Sequence, residues 1–258
     1  MSLLADNLSL SYGRQAVLHG VDLALRPGRL VALVGPNGSG KSSLIKCLAG
    51  LLPHAGQVSL SGQPLSAAQI GYMPQDHAAS AALTVLETVL LGRLERLRWQ
   101  VGEEDLAAVE AVLTRLGIGH LAPRWLGDLS GGQRQLVFLA QSLVAQPRVL
   151  LLDEPISALD LRHQLEVMDA VRALTLERGL VTLAVLHDLN AAVRHADEVV
   201  LLHDGRVLEV GPPAQVLTAS HVRRVFQVDV CLLTQPGRPA WIAPVGVSAP
   251  GQPWPANC

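Results

Sequence analysis

Up to about residue 75, apolar positions recur in short alternating or continuous runs. Ser2 to Ser11 and Val17 to Leu25 alternate loosely, and Pro27 with Gly28 closes the second run, which predicts strands with tight turns. Leu30 to Val34 is apolar throughout, the pattern of a strand buried on both faces. A glycine-rich loop follows it, and Leu44, Ile45 and Leu48 then fall at helical spacing. Gln57 to Leu60 and Gln69 to Tyr72 predict further short strands.

From about residue 79 to 146 the period becomes helical. Thr84 and Glu87 form a capping box ahead of Val85 to Leu91. Glu103, Glu104 and Asp105 suit a helix N-terminus, with Gly117 as its stop. A third helix runs from about Gly132, with Leu136, Leu139, Ala140, Leu143 and Val144 on one stripe and Pro147 closing it. Strands and helices then alternate: Val149 to Leu152, helix Leu161 to Glu177 ended by Gly179, Val181 to Leu186, helix Leu189 to His195, and Glu198 to Leu202. Asp204 and Gly205 make a hairpin turn into Arg206 to Val210. The pattern is α/β with a helical insertion. Gln235 to Cys258 differs, with six of the 16 prolines, two of the four tryptophans and one charge, Arg238. It is expected to be an extended tail after a domain spanning residues 1–234, with disorder preferred over docking of Trp241 and Trp254 on the body.

Composition narrows the class. The 258 residues are 49% hydrophobic and only 16% charged, which excludes a disordered chain and hints that a partner covers some outer surface. Mean hydropathy is +0.32, yet the longest apolar runs fall far short of the ~20 residues of a membrane span. Asp6 interrupts the N-terminal apolar stretch and no basic region precedes it, so no signal peptide is expected. Cys47, Cys231 and Cys258 form no CxxC and imply neither a disulfide framework nor a zinc site, which suits a reducing cytoplasm. A net charge of −2 leaves no electrostatic footprint for nucleic acid.

The chemistry sits at two strand ends. Gly35, Pro36, Asn37, Gly38, Ser39, Gly40, Lys41 and Ser42 fit G-x-x-x-x-G-K-[ST] between an apolar strand and a helix. Such glycines let several backbone N–H groups converge on one phosphate chain, and the helix dipole adds to them. Lys41 would reach the β- and γ-phosphates, and the Ser42 hydroxyl would hold Mg²⁺. Of the 20 Lys and Arg residues only Lys41 and Lys46 are lysine, so a chain that otherwise uses arginine puts a compact ammonium here. Val149 to Leu152 ends in Asp153 and Glu154, the first suited to an outer Mg²⁺ contact and the second to polarising a water. Together these motifs describe a P-loop NTPase. Leu129, Ser130, Gly131, Gly132 and Gln133 make another anion-binding helix start. One chain cannot easily aim two such sites at one nucleotide, so the second invites a neighbouring subunit.

With these motifs in order, residues 2–234 resemble the nucleotide-binding subunits of ABC transporters. The resemblance implies the ABC-type ATPase fold: an α/β P-loop NTPase core with a mixed sheet, an N-terminal antiparallel β subdomain and an inserted helical subdomain. It implies ATP hydrolysis with Mg²⁺, and a homodimer that sandwiches ATP between one chain's Gly35–Ser43 loop and the other's Ser130 to Gln133. By the same resemblance Tyr12 stacks on adenine, Gln75 joins Mg²⁺ (with Ser42 and Asp153) and the attacking water to the helical lobe, His187 contacts the γ-phosphate, and Asp160 of Ser157 to Asp160 signals across the dimer. Lys41, Gln75, Glu154 and His187 form the implied catalytic set. Ile156 departs from the more usual threonine. Leu159 to Gln164, Leu186 to Ala191, Gly211 to Leu217 and Phe226 to Asp229 are similar to the ATPases of importers for iron-siderophores, haem and cobalamin. That class implies integral membrane permease partners, an extracytoplasmic solute-binding protein engaged indirectly, and a peripheral location on the cytoplasmic face of the inner membrane. Uptake of another metal or small solute, or a soluble non-transport ABC ATPase, stays open as an alternative.

Overall fold

A computed structural model describes residues 2–75, 82–94, 101–157, 159–235, 237 and 239–248. Strand β1 (Leu3–Tyr12) pairs antiparallel with β2 (Gln15–Leu25). The apolar run becomes β3 (Arg29–Val34) and leads through the glycine loop into helix α1 (Lys41–Leu48). Strands β4 (Ala55–Leu60) and β5 (Gln63–Pro64) complete a four-stranded antiparallel sheet in the order β2-β1-β4-β5. After β6 (Ile70–Met73) come the helices α2 (Val85–Leu90), α3 (Glu103–Arg115) and α4 (Gly131–Leu143). The chain then alternates β7 (Val149–Asp153), α5 (Leu161–Arg178), β8 (Val181–Val185), α6 (Leu189–His195) and β9 (Glu198–His203). It ends with β10 (Arg206–Gly211), α7 (Pro213–Val216), α8 (Ala219–Phe226), β11 (Val228–Leu233) and β12 (Trp241–Val247).

Six strands form the central sheet in the order β10-β9-β3-β8-β7-β6, parallel except for the β9–β10 hairpin. Alternation along β3 sends its residues to two different cores. Leu30, Ala32 and Val34 join the helices on one face, while Val31 and Leu33 join α1 and the antiparallel sheet on the other. The sheet is thus buried on both sides, which is why its strands read as unbroken apolar runs. Parallel alignment also brings the C-terminal ends of β3, β7 and β8 to one edge, where ligands of open α/β sheets bind. Gly71 in β6 lets α4 lie close: a Cβ there would stand 2.2 Å from the Ser142 carbonyl oxygen.

The described elements follow the expected mixed sheet, antiparallel sheet and helices, with ends shifted by one or two residues. Two expectations are corrected. Cys231 is disulfide-bonded, whereas Cys47 is free and buried. The supposed tail is ordered over Trp241–Val247, where β12 pairs antiparallel with β11. Pro244 hid this strand, because proline weakens a strand reading; here it sits beside a register shift of a two-stranded sheet, where few ladder bonds are lost. Ile242 is buried in the main core, and the Asn190 amide clamps its backbone, donating to Ile242 O (3.1 Å) and accepting from Ile242 N (2.8 Å). Trp241 is largely exposed, and Trp254 lies outside the described residues.

Asn190→Ala leaves both Ile242 backbone groups without their partner, which costs about 1–3 kcal/mol. For a chain of this size the melting temperature is expected to fall by roughly 2–10 °C. An unchanged melting curve would mean that the hairpin is not held to the body at this point.

Candidate active site

The loop between β3 and α1 is shaped by glycines at close quarters. A Cβ on Gly35 would lie 2.2 Å from Leu202 O of β9, so only glycine lets the loop rest against that strand. Gly40 precedes α1 with φ +101°, in the left-handed region, and no side chain caps the helix. The first-turn N–H groups of α1 are therefore left to an external acceptor. Lys41 opens this helix and is nearly fully buried. Its ammonium donates to Gly35 O (2.8 Å) and Pro36 O (2.9 Å), which holds the charge inside the loop. Burial lowers its pKa, while Glu154 and then Asp153 oppose that shift.

Asp153 ends β7 and is 1% exposed. The Ser42 hydroxyl donates to its Oδ1 at 3.2 Å. Burial raises the Asp153 pKa against the pull of the Ser42 hydrogen bond and of Lys46, and Glu154 adds to the rise. Glu154 then takes a left-handed φ of +57°, an uncommon conformation for a non-glycine residue and the kind of local strain that clusters at functional sites. Its Oε1 lies 2.6 Å from His187 Nε2, a contact in which an ionised carboxylate can only accept. His187 follows directly on Leu186, whose backbone N–H donates to Leu33 O. Gln135 of α4 fixes the turn behind Glu154 by donating to Pro155 O at 2.6 Å.

These groups surround a cleft of about 720 Å³. Asn37, Gly38, Gly40, Lys41, Ser42 and Ser43 line it, together with Gln75, Glu154 and His187. Tyr12, Gln15 and Val17 also line it. Tyr12 is 51% exposed, with its hydroxyl 3.4 Å from Ser43 Oγ. Gln15 pairs directly with Tyr12 across the β1–β2 turn, a neighbour that sequence reasoning passed over and that the tight turn could have revealed. Gly35, Pro36, Ser39 and Asp153 do not line the cleft; Ser39 and Asp153 are buried.

The second helix start lies elsewhere. Ser130, Gly131, Gly132 and Gln133 do not line the cleft. Ser130 caps α4 through a reciprocal box: its Oγ accepts from Gln133 N (3.3 Å) and its N–H donates to Gln133 Oε1 (3.1 Å). Ser130 and Gly131 are exposed. Asp160 caps α5, accepting from His163 N at 2.9 Å, and Ala158 lies outside the described residues. One chain therefore presents a cleft lined by the glycine-rich loop and, not lining it, a separate helix start at Ser130 to Gln133 whose first residues are exposed.

The family model for ABC transporters matches residues 18–157. The chain belongs to the ABC transporter ATP-binding family. It binds ATP, and ATP hydrolysis is the activity that membership brings. It is 42% identical over 254 residues to the hemin import ATP-binding protein HmuV of Myxococcus xanthus, covering 93% of this chain and 95% of that one. It is 38% identical to the achromobactin transport ATP-binding protein of Dickeya dadantii, covering 91% of each. Among solved structures it resembles a metal-chelate type ABC transporter in an inward-facing conformation, with a TM-score of 0.85, 28% identity, and coverage of 95% of this chain and 97% of that chain. Among the described residues no helix is long and apolar enough to cross a membrane.

Because Asp153 has a raised pKa, its charged form is disfavoured in the fold. That penalty is absent at acid pH and grows as the pH rises above the ordinary value of 3.8. Asp153→Asn keeps an acceptor for Ser42 and removes the buried charge. In the nucleotide-free protein it is expected to melt a few degrees higher than wild type at neutral pH, with the gain shrinking as the pH approaches 4. A lower melting temperature at neutral pH would contradict this reading of the site.

Proposed function

We propose that this chain is the motor subunit of an importer for an iron complex, such as haem or a siderophore, or for cobalamin. The relatives that carry haem and achromobactin in their names support the solute class, as do the Leu159 to Gln164 and Leu186 to Ala191 wordings. The observation that carries the catalytic reading is the 2.6 Å contact of Glu154 with His187 in a cleft that the Lys41 loop also lines.

In this reading Lys41 and the backbone N–H groups of Gly38 to Ser43 bind the phosphate chain of ATP, and Tyr12 stacks on adenine. Ser42, which lines the cleft, and the buried Asp153 fit a Mg²⁺ ion, since the Ser42 hydroxyl and one Asp153 carboxylate oxygen already face each other at 3.2 Å. One carboxylate and a hydroxyl are what Mg²⁺ takes from a protein when phosphates and water complete its shell. Among the described residues no cluster of three or more acidic, His or Cys side chains offers a dedicated cage instead. When bound, Mg²⁺ neutralises charge on the β- and γ-phosphate oxygens. Ser42, Asp153 and Gln75 would hold it.

Glu154 accepts a proton from the attacking water as that oxygen bonds to the γ-phosphorus and ADP leaves. His187 holds the Glu154 carboxylate in place and lies within the same cleft as Lys41. Ser130, Gly131, Gly132 and Gln133 serve the nucleotide of a second copy, in keeping with their not lining the cleft of their own chain. Asp160 reports across that dimer. Permease subunits would anchor the dimer peripherally on the cytoplasmic face of the membrane, with an extracytoplasmic binding protein delivering the solute.

Glu154→Gln keeps the shape of the side chain and loses its basicity. ATP is expected to bind still, while hydrolysis falls by about 10² or more. With Mg·ATP the variant is expected to accumulate as a dimer by size exclusion with light scattering, and adding Ser130→Arg should abolish that dimer. A variant that stays monomeric at saturating Mg·ATP, or hydrolyses at the wild-type rate, would overturn the composite site.

A further inference from the structure

The side chain of His163, in the first turn of α5, bears directly on the first turn of α4. Its ring lies against Gly132, where a Cβ would come within 2.2 Å of His163 Cδ2, 2.4 Å of Cγ and 2.8 Å of Cβ. No residue but glycine fits beneath the ring at that separation. The ring is pinned from its other side: Nδ1 lies 2.7 Å from Asp160 Oδ1, the same oxygen that accepts from the His163 backbone N–H at 2.9 Å. Swinging the ring away from Gly132 would therefore break its bond to Asp160. Gln135, one turn along α4, makes a parallel tie to Pro155 O beside Glu154.

We infer that His163 is a positioning residue that locks the Ser130–Gln133 helix start to the Asp160 loop, so that the two segments turned toward a partner's nucleotide move as one body. The inference rests on the composite-site reading above. His163 does not line the ATP cleft of its own chain, so its loss is not expected to alter nucleotide binding by the monomer. Its effect falls on assembly, because a loosened Ser130 segment has to be re-ordered each time the dimer closes.

The test uses the full chain carrying Glu154→Gln, alone and with His163→Ala or His163→Asn, at saturating Mg·ATP. The readouts are the protein concentration for half-dimerisation, by light scattering, and the affinity of each monomer for a fluorescent ATP analogue. His163→Ala is expected to raise the half-dimerisation concentration about tenfold, the factor associated with one lost hydrogen bond. His163→Asn places an amide nitrogen near the position of Nδ1 and is expected to recover part of that loss. Monomer nucleotide affinity should stay within twofold in all three. Unchanged dimerisation with His163→Ala, no recovery with His163→Asn, or an equal loss of monomer affinity would overturn the positioning role. If Glu154→Gln alone fails to dimerise, the fault lies with the composite-site reading itself.

Discussion

A lysine ammonium that is nearly withdrawn from water needs fixed oxygen partners, and the rest of the site is arranged around that need. Lys41 has the carbonyls of Gly35 and Pro36 within 3 Å and the charges of Glu154 and Asp153 nearby. Those carbonyls are available only because the loop folds back on itself, and it folds that way only with glycine against β9 at position 35. The carboxylates are available only because β7 lies two strands from β3 in a parallel sheet, so that both end at the same edge. Loop, sheet order and acidic pair are one constraint seen from three sides. Burial disfavours the charged form of both groups, lowering the pKa of Lys41 and raising that of Asp153, which is the expected signature of a site shaped for a charged ligand rather than for stability.

A second theme is the fastening of the loops that carry Glu154 and His187 to elements distant in sequence. Gln135 of α4 holds the turn after Glu154, and Asn190, three residues beyond His187, is clamped to Ile242 of the C-terminal hairpin. The segments that carry Glu154 and His187 are thus tied, one to a helix of the insertion and the other to the hairpin. Such supports keep a side chain within the narrow tolerance that catalysis requires.

Much of this was legible in the sequence because the signals are local. The apolar run Leu30 to Val34 is short, continuous and bounded by glycines as a doubly buried strand is, the glycines of residues 35–40 have a direct backbone meaning, and the Thr84–Glu87 and Ser130–Gln133 boxes are visible as residue pairs. What escaped notice depends on distant packing. Strand β12 carries a proline and lies in a proline-rich segment, and its order comes from burying Ile242 and from Asn190, neither of which leaves a periodic trace. The contact of His163 with Gly132 joins two motifs that sequence places thirty residues apart, and no spacing rule announces it. The cleft position of Gln15 was open to inference from the tight turn that pairs it with Tyr12, but Gln15 carries no motif of its own to draw attention to it.

Binding of Mg·ATP to Lys41→Arg, measured by calorimetry beside wild type, addresses the central claim most directly. Arginine keeps the positive charge but brings a planar fork in place of a compact ammonium, and the chain uses arginine almost everywhere else. If the Gly35 and Pro36 carbonyls and the two carboxylates define a cradle for an ammonium, the variant should fold and yet bind Mg·ATP at least roughly tenfold more weakly, in line with the loss of charge-assisted hydrogen bonds. Wild-type affinity in the folded Lys41→Arg protein would contradict that account.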